Sequence, residues 1–213
     1  VNGPLNIFSN ALNMEYVAGV SADNFGQPFH PCGVWTGNFA LSFADRAMLD
    51  SKEQARKAAE KGTAIHAAIQ ESFEGVPSDE SLMVHVTAVK ETVAKWVTDS
   101  PPFHFMPEAA FACELGFGGK ADLAGTCGVV LDFKSKEFGE DDKKLAWDEH
   151  CIQLAAYRMG LYMPTARCAN VFVSVNNPGL VRLVEWKEEE LQRGWKMFQA
   201  LLEYWYAKTV LKR

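Results

Sequence analysis

The most informative stretch of the chain is Gly118-Gly119-Lys120-Ala121-Asp122-Leu123, followed by Val129-Val130-Leu131-Asp132-Phe133-Lys134. Side chains alternate along a strand, so Asp132 and Lys134 fall on one face while Leu131 and Phe133 fall on the other. Asp122 lies ten residues before Asp132. If the glycine-containing segment 125–128 turns the chain back, Asp122 comes opposite Asp132 on the adjacent strand, and two carboxylates and an ammonium converge. Neighbouring carboxylates repel unless a proton or cation lies between them, and a hard divalent metal bound through oxygen is their natural companion. Water on such a metal has a lowered pKa and can attack phosphorus, with Lys134 offsetting charge on the non-bridging oxygens. The pattern suits phosphodiester hydrolysis.

Outward from this stretch, periodicity predicts the other elements. Residues 105–116, 119–123 and 129–136 read as a meander of neighbouring strands separated by glycines at 116, 118, 125 and 128. Upstream, Lys, Glu, Gln, Arg and Ala dominate residues 51–73, a helix with Ser51 as its N-cap and Gly62 as an interruption. A second helix over 79–98 has the stripe Leu82, Val86, Val89, Val93 and Val97, closed by Pro101 and Pro102. Downstream, a charged loop over 136–148 leads to a helix over 149–161. Strands over 170–175 and 181–186 are joined by Asn176-Asn177-Pro178-Gly179. A last helix over 188–211 carries Leu191, Trp195, Phe198, Leu202 and Trp205 along one stripe. The first 50 residues are rich in Gly, Pro, Asn and Ser and read as an irregular extension with a short helix over 41–49. The expected architecture is one α/β domain over 1–213, its core at 51–213, with a single mixed sheet.

At 213 residues the chain can bury a sizeable core, and its 48% hydrophobic and 23% charged composition is that of an ordinary globular protein. A net charge of −6 argues against a protein that coats nucleic acid non-specifically. It does not argue against a nuclease, because carboxylates gathered around a cation make a site acidic until the metal reverses its sign. Five widely spaced cysteines without a C-x-x-C pair predict reduced thiols and a cytoplasmic, reducing setting. No run approaches the ~18 apolar residues of a membrane helix, and the N-terminal stretch lacks the layout of a secretory signal.

An Asp-x-Lys on a solvated strand face is common, and a lone helical histidine is usually structural; the combination is what distinguishes this chain. His66 follows Gly62 on an Ala-rich helical face, and Gln153 and Tyr157 are four apart, on one helix face. In order, Gly62-x-x-x-His66, Gly119-x-x-Asp122, Asp132-x-Lys134 and Gln153-x-x-x-Tyr157 resemble the motifs of the RecB-type exonuclease branch of the PD-(D/E)XK nuclease superfamily, over nearly half of the chain. The resemblance implies a restriction-endonuclease-like core, a central mixed sheet flanked by helices, acting on DNA with Mg2+, for which Mn2+ substitutes. It makes His66, Asp122 and Asp132 metal ligands, together with the backbone carbonyl of Phe133. Lys134 would position the nucleophilic water, and Gln153 and Tyr157 would orient the Lys134 region and the substrate strand. Glu108 resembles an acidic position on the first core strand, for which Glu114 competes. Asp132 stands where Glu is commoner. With Cys32 but no cysteine after Cys168, the iron–sulfur cluster of some relatives is not expected.

Lys136 and Arg158 are further candidates for substrate contact. The lysines of the 134–144 loop are cancelled in number by Glu137, Glu140, Asp141 and Asp142, so the loop is no simple basic patch. Trp147, Phe25, Phe29 and Trp35 are candidates for stacking on single-stranded DNA. The expected activity is that of a DNA exonuclease of recombination, repair or phage replication. The expected partner is DNA with free ends or single strands, with no membrane; a second copy or a recombination or replication protein are further candidate partners. A structure- or site-specific endonuclease of the same fold and a catalytically inactive nucleic-acid-binding module are the alternatives.

Overall fold

The structure, a computed structural model, describes residues 43–97 and 104–210. It contains helices α1 (Phe43–Glu74) and α2 (Met83–Trp96), strands β1 (Phe105–Cys113), β2 (Phe117–Gly125) and β3 (Val129–Lys136), helix α3 (Asp148–Gly160), strands β4 (Arg167–Ser174) and β5 (Val181–Trp186), and helix α4 (Glu188–Val210). The five strands form one sheet in the order β1-β2-β3-β4-β5. All neighbours are antiparallel except β3 and β4, which run parallel through eight consecutive pairs from Val129↔Arg167 to Lys136↔Ser174.

Each face of the sheet is covered by two helices. On one, Ile65 and Ile69 of α1 and Val86, Val89 and Val93 of α2 pack with Leu123, Leu131, Phe133, Val171 and Val173. On the other, Cys151, Leu154 and Ala155 of α3 and Leu191 of α4 pack on Ala121, Val130 and Cys168. Phe198 and Leu202 of α4 continue that layer against Phe117, Ile152 and Ala156. Of the expected stripes, Val86, Val89, Val93 and Val97 and then Leu191, Phe198 and Leu202 are buried, while Leu82, Trp195 and Trp205 are half-buried. A five-stranded mixed sheet between helices agrees with the expected restriction-endonuclease-like core. Among the described residues no helix is long and apolar enough to cross a membrane.

Two expectations are corrected. The helix placed at 51–73 and the short helix at 41–49 are one continuous α1, and Ser51 lies inside it rather than at its N-cap. Neither Gly nor Pro occurs between Phe43 and Gly62, so nothing local ends the helix there. The boundary drawn at residue 50 therefore falls within α1; residues 1–42, with Phe25, Phe29, Cys32 and Trp35, lie outside the described residues, as do Pro101 and Pro102. Strand β1 ends at Cys113, because residues 114–116 form a turn with Gly116 at φ +80° and its amide bonded to the Cys113 carbonyl. The charged loop after β3 is anchored: Phe138 and Leu145 are buried against Phe172, and the Arg182 guanidinium donates to the carbonyls of Gly139, Glu140 and Asp142.

Gly160, the last residue of α3, sits against Phe111 of β1, and a Cβ there would overlap the Phe111 ring. Overpacking of this kind costs about 1–3 kcal/mol. Gly160→Ala should lower the urea midpoint accordingly without changing the slope, and a midpoint equal to that of the unsubstituted chain would mean the ring moves aside freely.

Candidate active site

The β2–β3 ladder pairs Gly125↔Val129, Ala124↔Val130 and Leu123↔Leu131, and there it stops. Continued by one step, the same register sets Asp122 opposite Asp132, as expected. Instead of another backbone bond, the Phe133 amide donates to Asp122 Oδ2 at 2.6 Å. The Asp122 carboxylate thus takes the place of a strand carbonyl where β2 and β3 part. His66, on the face of α1 that looks toward the sheet, brings Nε2 to within 3.1 Å of the same oxygen. This bond raises the His66 pKa, with burial opposing it and the charge of Asp122 adding to it.

Asp132 is 2% exposed. Its carboxylate receives Lys134 Nζ at 3.0 Å on Oδ1 and 2.9 Å on Oδ2. Burial pushes the Asp132 carboxyl up to about 6; the Lys134 charge opposes this and the Asp122 charge adds to it. The two aspartates are close enough to feel each other. Lys134 Nζ also donates to Gln153 Oε1 at 3.1 Å, and Gln153 Nε2 donates to Tyr157 OH at 2.7 Å. One chain of hydrogen bonds therefore joins Asp132, Lys134, Gln153 and Tyr157. It exists because α3 crosses from β3 to the parallel β4 over the face that Asp132 and Lys134 share.

Two carboxylates, an imidazole and a nearby main-chain carbonyl, that of Phe133, are donors suited by type to Mg2+ or Mn2+. In the structure the carboxylate oxygens are engaged by His66, the Phe133 amide, Lys134 and Asn170. Among the described residues no three His, Cys, Asp or Glu side chains are gathered closely enough to hold a metal. Two surface cavities, of about 530 and 420 Å3, lie along β5 and the start of α4, and neither is lined by Asp122, Asp132 or Lys134.

The remaining candidates separate. Glu108 occupies the register position opposite Asp122 on β1, with φ +53° and its carboxylate paired with Lys120. Glu114, its competitor, is exposed in the β1–β2 turn. Lys136 is held by the Leu145 carbonyl at 3.0 Å, with its ammonium 5.0 Å from the Phe172 ring centre, so it secures the loop. Arg158 is a correction: it is 3% exposed and makes a two-pronged pair with Glu188 at 2.8 and 3.0 Å. It points to α4 and is not available to DNA. Trp147 is half exposed, with Lys144 Nζ 3.8 Å from its ring centre. Cys113, Cys127, Cys151 and Cys168 are free thiols.

Asn170 went unnoticed in the sequence. It is fully buried, Nδ2 donates to Asp132 Oδ2 at 2.8 Å, and its Oδ1 accepts from Trp186 Nε1 at 2.7 Å. The available signal was a polar residue inside the apolar run Ala169-Asn170-Val171-Phe172.

Burial pushes the Tyr157 phenol up to about 12, against the opposing bond from Gln153. An unfolded tyrosine ionises near pH ~10, so this phenol contributes stability that is present below that pH and is lost as pH rises toward the folded value. Denaturant unfolding at stepped alkaline pH should show a shallower decline for Tyr157→Phe than for the unsubstituted chain.

No family model matches the chain, and no curated protein matches it. Among solved structures it is similar to the Eubacterium rectale protein named Putative exonuclease, with 14% identity and a TM-score of 0.44 over 66% of this chain and 64% of that one. It is also similar to the protein named SSO0001, with 16% identity and a TM-score of 0.27 over 58% of this chain and 61% of that one. The chain therefore spans less than two thirds of the length of either.

Proposed function

We propose that the chain is a Mg2+-dependent DNA exonuclease that hydrolyses phosphodiester bonds, with Mn2+ able to substitute. The observation that supports this reading most is the hydrogen-bonded chain Asp132–Lys134–Gln153–Tyr157, with Asp122 opposite Asp132 in register and His66 on Asp122. The residues of the four motif pieces come from four elements, α1, β2, β3 and α3, and contacts link them as Asp122 with His66 and as Asp132 through Lys134 and Gln153 to Tyr157.

In this reading Asp122, Asp132, His66 and the Phe133 carbonyl hold the cation. A cation held there would lower the pKa of water and offset charge on the phosphate oxygens. Lys134 orients the attacking water and donates to a non-bridging oxygen as negative charge gathers on it. Gln153 accepts from Lys134 and so keeps the ammonium aimed, while Tyr157, protonated at neutral pH, holds Gln153. Overall, a water oxygen adds to phosphorus and the bond from phosphorus to the leaving sugar oxygen breaks. The water gives up a proton and the leaving oxygen gains one. The closure of the donors around one ion is what this proposal adds to the arrangement of the side chains. Glu108, opposite Asp122 in register, is assigned a supporting acidic role.

Linear DNA with Mg2+ should be degraded from its ends while covalently closed circles persist; equal cutting of the circle would instead assign an endonuclease. Lys134→Ala should lose about 3–4 kcal/mol of transition-state stabilisation, read as kcat, with an unchanged circular dichroism spectrum. Asp132→Asn should weaken Mg2+ binding by calorimetry, and an unaltered affinity in that variant would remove Asp132 from the ligand set.

A further inference from the structure

We infer that Asn170, locked by Trp186, is a positioning residue for Asp132. Resting on the metal-dependent reading above, the inference adds two residues that none of the sequence motifs contains. Asp132 and Asn170 are register partners in the parallel β3–β4 pair, so their side chains lie side by side on one face. Their contact is a consequence of the register and not of a flexible approach.

The orientation of the Asn170 amide is determined by its two neighbours. An indole N–H only donates and an ionised carboxylate only accepts, so the carbonyl end must face Trp186 and the amino end must face Asp132. Both bonds, at 2.7 and 2.8 Å, are made in that sense. A flipped amide would set N–H against N–H and oxygen against oxygen. Trp186 therefore acts on Asp132 through Asn170: it removes the alternative rotamer and leaves the carboxylate with one fixed donor.

That donor goes to Oδ2, which also receives Lys134, whereas Oδ1 has Lys134 alone. Asn170 thus holds one carboxylate oxygen inside the sheet and sets the rotation of the other. For packing alone the core does not need an amide here: a valine or leucine would fill the space, but would leave Trp186 Nε1 and Asp132 Oδ2 without this partner. The amide's specific effect is on a buried carboxylate that the core likewise does not need. Outer partners of this kind orient metal-binding groups, and their removal typically weakens metal affinity about 10–100-fold.

The test is Mn2+ titration by calorimetry of the unsubstituted chain, Trp186→Phe and Asn170→Ala, each at a temperature where circular dichroism shows it folded. Trp186→Phe keeps most of the ring volume, so it separates orientation from folding should Asn170→Ala prove unstable. Both variants should bind Mn2+ at least about tenfold more weakly. In the unsubstituted chain tryptophan fluorescence should respond to Mn2+, and that response should shrink in Trp186→Phe. On linear DNA, kcat should fall with KM unchanged. Lowered stability with Mn2+ affinity unchanged in both variants would make Asn170 a purely structural residue and overturn the inference alone. Absence of Mn2+ binding by the unsubstituted chain would overturn the nuclease reading and this inference together.

Discussion

Parallel strands cannot be joined by a tight turn, because the chain must travel back along the sheet before it can pair again. The parallel β3–β4 pair therefore requires a crossover, and α3 supplies it between two antiparallel regions of the sheet. The rest of the arrangement depends on this one connection. A crossover helix packs on a face of the sheet, here the face that bears Asp132 and Lys134. Its apolar side, Cys151, Leu154 and Ala155, seats it on Val130 and Cys168. With the helix seated, Gln153 is delivered to the ammonium of Lys134, and Tyr157, one turn on, to Gln153.

Much of this was legible in the sequence because periodicity survives folding when an element has one wet and one dry side. Val86, Val89 and Val93 of α2 and the Leu191–Phe198–Leu202 stripe of α4 are buried as their spacing requires. The β2–β3 register runs toward Asp122 and Asp132 because the turn over 125–128 closes with Gly128 at φ +81° and its amide on the Gly125 carbonyl. The misreadings have equally specific causes. Ser51 has the chemistry of an N-cap, yet a cap operates only where the backbone leaves the helix, and no residue around it makes the backbone do so. Arg158 was a candidate for substrate contact, but adjacent helical residues point about 100° apart. The turn that aims Tyr157 at the site aims Arg158 at Glu188.

Asn170 illustrates a different limit. One polar residue in a strand has no meaning until its neighbour on the next strand is known, and parallel register is set by packing of the crossover and not by any local motif. The loop after β3 has the same character. Its charges mark it as a loop, which it is, while Phe138, Leu145 and the carbonyls bound by Arg182 tie it to β4 and β5. Local composition reports the exposed side chains of such a loop and is silent about its buried ones.

The end of the β2–β3 ladder is best understood as a problem of charge. Had the ladder continued, the Phe133 amide would have bonded a β2 carbonyl, and two carboxylates would have faced each other across the sheet with burial removing their solvation. Parting the strands gives each acid its own compensation: an amide and an imidazole for Asp122, an ammonium and a side-chain amide for Asp132. These compensations differ in kind. The groups around Asp122 include a neutralisable imidazole, and Lys134 can exchange Asp132 for another anion because its side chain is about one third exposed. The Asn170 bond, inside the sheet, cannot be exchanged in that way. An arrangement like this keeps the two carboxylates apart within the fold, and in the nuclease reading proposed above the partly exposed partners, His66 and Lys134, are the ones a cation and a phosphate would displace.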